Sequence, residues 1–162
     1  MTAPVPAALL VTRATGSVVD HWANPEGSSA SPPQVVITSF GYRHAAAPEA
    51  DITLDVRRNL RDPHTSPGMR RRTGRSPKVR RHVLTTPGAR ELIRHTVVSA
   101  LDLMLATGWR VTIATGCAGG RHRSVVLAEE IARLIRREGI TATVHHRDIG
   151  KPVLPSATGA GA

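Results

Sequence analysis

Nine consecutive residues, Gly116 to Ser124 (GCAGGRHRS), gather most of the groups in this chain that suit chemistry on an anion. They include its only cysteine, three glycines, two arginines, a histidine and a serine. Glycines let a backbone approach a ligand closely and turn several N–H groups toward one point. Arg121, His122 and Arg123 add side-chain donors, and a guanidinium grips phosphate through two parallel bonds. A phosphate or carboxylate site is the chemistry these parts share.

Two other readings compete. Arg123 lies six residues after Cys117 and is followed by Ser124, which is the C-x5-R-[S/T] spacing of cysteine-dependent phosphatases. In that chemistry a thiolate attacks phosphorus while the loop and the arginine hold the phosphate. Cys117, Arg123 and Ser124 would then be catalytic. Gly116 stands where such enzymes usually carry histidine, and the general acid would have to be Asp55, Asp62 or Asp148, with nothing to select one. The third reading is an ordinary strand-to-helix turn with a buried, inert cysteine and solvated arginines. A nucleotide-triphosphate loop does not fit, because no Lys-Ser or Lys-Thr follows a G-x4-G string. No metal site is expected, since the histidines lack ligand spacing and His145 and His146 point to opposite faces of a strand.

The elements around these residues read as α/β. VTIAT precedes the loop as a strand, and a helix from about His122 to Glu138 follows, with Leu127, Ile131, Leu134 and Ile135 inward. That order puts the loop at a strand's carboxyl end, where open parallel sheets bind ligands, and at a helix amino terminus, which favours negative charge. QVVITSF, DITLDV, RVTIAT and TATVHHRD are the expected strands. A further helix carries Ala89, Leu92, Ile93, Val97, Ala100, Leu101 and Met104 on one face, with Thr86 as its cap, Pro87 in its first turn and Gly108 as its stop. Strands alternating with helices imply a single domain with a mostly parallel sheet of about four strands covered by helices. Residues 1–33, rich in Ala, Ser, Pro and Gly, are expected to form a flexible arm, 34–151 the domain, and 152–162 a loose tail.

Composition narrows the partners. Lys and Arg number 22 against 12 acidic residues, a net charge of +10 that favours anions. Much of the excess lies between Arg57 and Arg81, an irregular stretch broken by Pro63, Pro67, Gly68, Gly74 and Pro77. Arg70, Arg71, Arg72, Arg75, Lys78, Arg80 and Arg81 are its candidate RNA contacts, since clustered cations bind RNA backbone by releasing counterions. A solvated basic linker is the competing account. Trp22, Phe40, Tyr42 and Trp109 are the only aromatic side chains of the Phe, Trp and Tyr kinds, which argues against readers built on base stacking. A lone cysteine excludes an internal disulfide and suits a reducing cytoplasm. No basic start precedes the apolar run near the amino terminus, and no run reaches membrane-span length, so neither export nor membrane insertion is expected.

VVITSFGYRH, DITLDVRRNLRDPH, MRRRTGRSPKVRRHVL, GCAGGRHRSVVLAEEIA and VHHRDIGKP together resemble the carboxy-terminal domain of the RapZ, or RNase adapter, family, from about Val35 to Lys151. Full-length members add an amino-terminal nucleotide-binding domain, whose activity the strings seen here do not carry. The resemblance implies RNA binding and sensing of a phosphorylated amino sugar such as glucosamine-6-phosphate. It matches Cys117, Ala118, Gly119, Gly120, His122 and Arg123 to the family loop, with Ala118 where threonine is common. Asp55 and Arg57, from the D-V-R string, would border the pocket, Asp55 meeting a sugar hydroxyl or amine or merely capping its strand end. The expectation is a non-catalytic module that holds a phosphorylated metabolite without a cofactor. A phosphatase, or a partner of a separately encoded nucleotide-binding protein, is the alternative. RNA, a protein partner and self-association are all compatible with the sequence.

Overall fold

The computed structural model describes residues 34–63 and 66–153. The expected arm, including Trp22, and the tail beyond Val153 lie outside those residues. Four strands form one sheet: β1 (Val35–Gly41), β2 (Ile52–Asp55), β3 (Val111–Cys117) and β4 (Ala142–His146). The order is β2-β3-β1-β4, with every pairing parallel. The helices are α1 (Pro67–Arg70), α2 (Pro77–Leu84), α3 (Ala89–Thr107) and α4 (Arg123–Arg137). This is the expected α/β fold, a single small domain.

The layering follows from the handedness of parallel crossovers. The β2–β3 and β3–β4 connections step across the sheet in the same direction, so right-handed crossovers put their helices on the same face. The β1–β2 connection steps the other way and belongs on the opposite face. Burial agrees. Val35, Ile37, Val111 and Ile113 are paired in register and join Val79, Val83, Ile93, Val97, Leu127, Ile131 and Ile135 in one core. Val36, Thr38 and Thr112, on the other side of the pleat, are only half buried. Phe40 shares that second face, edge-on to Tyr42 at 4.7 Å between ring centroids. β1 and β3 are neighbours whose outgoing chains leave to opposite faces, which makes their carboxyl ends the switch point where ligand sites in such sheets form.

Three local expectations are corrected. The segment taken as irregular between Arg57 and Arg81 contains α1 and the beginning of α2. Pro67 and Pro77 open these helices at their first positions, where the missing N–H has no partner to lose. α3 begins after Gly88, at φ 80°, rather than being capped by Thr86. Thr86 and Pro87 instead form the preceding turn, and the Thr86 hydroxyl accepts the Arg61 N–H at 3.4 Å. β3 runs through Gly116 and Cys117, so the loop proper is shorter than GCAGGRHRS suggests. Gly108 stops α3 as expected, at φ 71°. No helix among the described residues is long and apolar enough to cross a membrane.

Candidate functional site

Because Cys117 is a strand residue paired with Gly41, the pleat fixes its direction. Its sulfur enters the helix-side core, 3% exposed, and lies 3.2 Å from the Ser124 hydroxyl. The Thr115 hydroxyl below donates to the Ser124 carbonyl at 2.8 Å.

Ala118, Gly119 and Gly120 then cross the crevice. Gly120 has φ 67°, and a Cβ there would stand 2.7 Å from both the Asp148 Cβ and the Gly41 nitrogen. A Cβ on Gly41 would meet Gly119 and Gly120 backbone at 2.6 Å. Only glycine permits this contact of two backbones. Gly119 differs, because a Cβ there would meet nothing within 4 Å. The loop carbonyls are occupied: Cys117 O accepts from Tyr42 N and Ala118 O from Arg43 N, each at 3.0 Å. The N–H groups of Ala118, Gly119 and Gly120, in contrast, donate to no acceptor among the described residues. The result is a short run of unpaired donors, with open space at Gly119, just before a helix of 15 residues.

The loop's basic side chains point elsewhere, each into a different segment. Arg121 donates to Ile149 O at 2.8 Å and Lys151 O at 2.6 Å. His122 Nε2 lies 2.8 Å from Arg72 O. Arg123, 4% exposed, donates to Val56 O (3.3 Å), Arg57 O (2.8 Å) and Leu60 O (3.1 Å), and pairs with Asp62 at 2.8 Å. These three side chains hold chain; the sequence had made them donors to a ligand.

Asp148, two residues beyond β4, supports the loop. It is fully buried, accepts the Gly41 N–H at 2.7 Å and pairs with Arg147 (2.8 Å) and Lys151 (2.7 Å). Burial alone would raise its pKa, but the bonds from Arg147, Lys151 and Gly41 outweigh that and bring it down to about 2. A carboxylate held ionised in this way is unsuited to be a general acid at neutral pH. Asp62 is tied to Arg123, and Asp55 is held low chiefly by the Arg57 side chain, with burial opposing.

Asp55 and Arg57 do meet at the end of β2. Arg57 grips the carboxylate through Nε (2.9 and 3.0 Å) and NH2 (2.6 Å), and its N–H also bonds Oδ1 at 3.0 Å. The guanidinium lies 3.9 Å from the Tyr42 ring centroid. Tyr42 in turn covers Gly116, whose missing Cβ would sit 2.5 Å from Tyr42 Cε2. Asp55, Arg57 and Tyr42 are thus one stacked unit on the crevice wall. The sequence named the first two and missed Tyr42 as their platform. It also missed Arg147, which fastens the β1–β2 connection through Ala46 O (2.7 Å) and Ala45 O (3.3 Å). The basic run beyond β2 divides in two. Arg70, Arg71 and Arg72 are exposed on and just after α1, with Arg72 Nε donating to Gly68 O at 3.0 Å. Arg75, Arg80 and Arg81 instead border a groove beside α2. No cluster of metal-binding side chains occurs among the described residues.

The sequence pattern of the RapZ C-terminal domain matches residues 33–150, so the chain belongs to that family. Relatives described as nucleotide-binding proteins include one from Thermobifida fusca, 39% identical over 120 residues (71% of this chain and 40% of the relative). Others come from Salinispora tropica, 40% identical over 126 residues, and Rhodococcus opacus, 42% identical over 125, each alignment covering 73% of this chain and 40% of the relative. The chain therefore spans about 40% of the length of these curated relatives.

Proposed function

We propose that this member of the RapZ C-terminal domain family is a non-catalytic binding module that holds a phosphorylated small metabolite of the amino-sugar phosphate kind at residues 118–120. The observation that carries the reading is the set of Ala118, Gly119 and Gly120 N–H groups left without acceptors among the described residues, with open space at Gly119. Preorganised backbone donors at a helix amino terminus suit a phosphate group. Tyr42, Asp55 and Arg57 form the wall against which the rest of the ligand would lie, with Asp55 available to a sugar hydroxyl or amine.

The phosphatase alternative has one point in its favour, the Ser124 hydroxyl beside Cys117, since such a bond stabilises a thiolate. The burial of the sulfur in the core and the commitment of Arg123 to chain carbonyls weigh against it. A thermal-shift screen of phosphosugars tests the reading, because ligands of the native state raise the melting temperature. Stabilisation by a phosphosugar should persist in Cys117→Ser with affinity within about tenfold. Wild-type hydrolysis of that phosphosugar, lost in Cys117→Ser, would establish the enzyme instead.

RNA is the second ligand to consider, favoured by the exposure of Arg70, Arg71 and Arg72 together. Binding to a structured RNA should weaken with salt, by a log–log slope of roughly 0.7–0.9 per phosphate contact. Replacing the three arginines with alanine should flatten that slope. An unchanged slope would remove this surface from consideration.

A further inference from the structure

Away from the loop, the outer flank of α2 and the first turn of α3 bound a groove of about 300 Å3. Arg75, Arg80, Arg81 and Arg90 line it, with Pro77 and Leu84 supplying apolar surface, and no carboxylate is among its lining residues. The arginines are unequally compensated. Arg80 is braced from behind by the carboxylate of Glu130, which is 4% exposed and also takes Arg133 at 2.9 Å. Arg75 Nε stands 4.0 Å from Glu129. The guanidinium groups of Arg81 and Arg90 make no hydrogen bond or ion pair among the described residues. Gly88 gives the start of α3 no side-chain cap, and Glu91 in the first turn offsets part of the positive field of that helix end.

With Arg80 held by Glu130 and Arg75 near Glu129, the uncompensated charge of the concavity rests chiefly on Arg81 and Arg90, and a multiply charged anion would relieve it. A volume near 300 Å3 is at the small end of small-molecule sites, and the proline and leucine offer a surface to an apolar or aromatic group. We propose that this groove is a second binding site, separate from the loop, for a compact polyphosphate of the nucleoside di- or triphosphate kind. Nothing about it depends on the reading of residues 118–120. A nucleic-acid strand is the less favoured occupant, because Pro77 and Leu84 offer apolar surface to one base while neither Phe40, Tyr42 nor Trp109 lines the groove to stack a run of them.

Calorimetric titration of the full chain with AMP, ADP and ATP tests the proposal. Affinity should rise in that order, and inorganic triphosphate should bind more weakly than ATP for want of the base. Arg81→Ala combined with Arg90→Ala, both exposed, should leave the melting temperature unchanged and weaken ATP by at least about tenfold. Gly119→Ala, in the loop, should leave ATP binding as it was. Absence of ATP binding, equal affinity for all three nucleotides, an unaffected double variant, or loss of binding in Gly119→Ala would each overturn it. So would a single-stranded oligoribonucleotide that needs Arg81 and Arg90 while ATP does not bind.

Discussion

Arg123 separates a ligand clamp from a structural brace, and its replacement by alanine gives different results in the two cases. The guanidinium serves three carbonyls, Val56, Arg57 and Leu60, together with the Asp62 carboxylate, from a side chain 5% exposed. In Arg123→Ala those acceptors lose a charged donor, and water reaches them poorly. A hydrogen bond to a charged group contributes about 1.5–3 kcal/mol, and bonds from one group do not add, so the loss should be about 3 kcal/mol. For a domain of this size that corresponds to a fall in melting temperature of roughly 10 °C. Arg123→Lys keeps the charge but presents one nitrogen to acceptors spread along residues 56–62, and should recover about half. Urea unfolding followed by circular dichroism gives the stabilities. Phosphosugar affinity, measured well below the lowered transition, should weaken by less than about tenfold. If Arg123→Ala unfolds like the parent but loses phosphosugar binding about a hundredfold, the brace is wrong and the clamp right.

Neighbouring glycines should respond in opposite ways. Gly120→Ala drives a methyl into Asp148 and Gly41 at positive φ and should lower stability by about 2 kcal/mol or more. Gly119→Ala meets no atom, should fold with near-parental stability on urea titration, and should weaken phosphosugar binding by putting a methyl beside the free N–H groups. Asp148, with its pKa lowered from 3.8 to about 2, contributes stability that is present above pH 4 and disappears as pH falls through 2. That contribution is about 2 kcal/mol, so unfolding free energy between pH 5 and pH 2 should fall less steeply in Asp148→Asn than in the parent. Parallel slopes would show that the Asp148 pairs do not control acid stability.

Much of the fold was legible because strong local signals agreed with it. The β-branched runs of β1 and β3, the apolar stripe of α3 and the glycine at 108 all specify structure over a few residues. Pro67 and Pro77 were misread because proline both breaks structure and opens helices, and the choice depends on whether Met69, Val79 and Val83 find a core to enter. At the site, the glycines gave away a close backbone approach, since little else requires them. The roles of Arg121, His122 and Arg123 were not readable, because all but one of their partners, the Asp62 carboxylate, are backbone carbonyls 28 to 67 residues away in sequence. A carbonyl has no residue signature. Tyr42 and Arg147 were missed for a related reason: Tyr42 meets Arg57 at the β2 end and Arg147 meets carbonyls at the β1 end, contacts that only the strand order reveals.

The outward commitment of Arg121, His122 and Arg123 divides the loop's labour between backbone and side chain. Three tethers hold residues 118–123 taut before any ligand arrives, so little ordering entropy remains to be lost on binding. The same tethers remove the loop's own basic residues from the business of choosing a ligand. If the loop holds a phosphorylated ligand as proposed, discrimination falls to the surrounding wall, where Tyr42, Asp55, Arg57 and Ala118 can be exchanged without slackening a tether. A scaffold built this way can change its ligand while keeping GGRHRS letter for letter, so identical loops in two such domains do not imply identical metabolites.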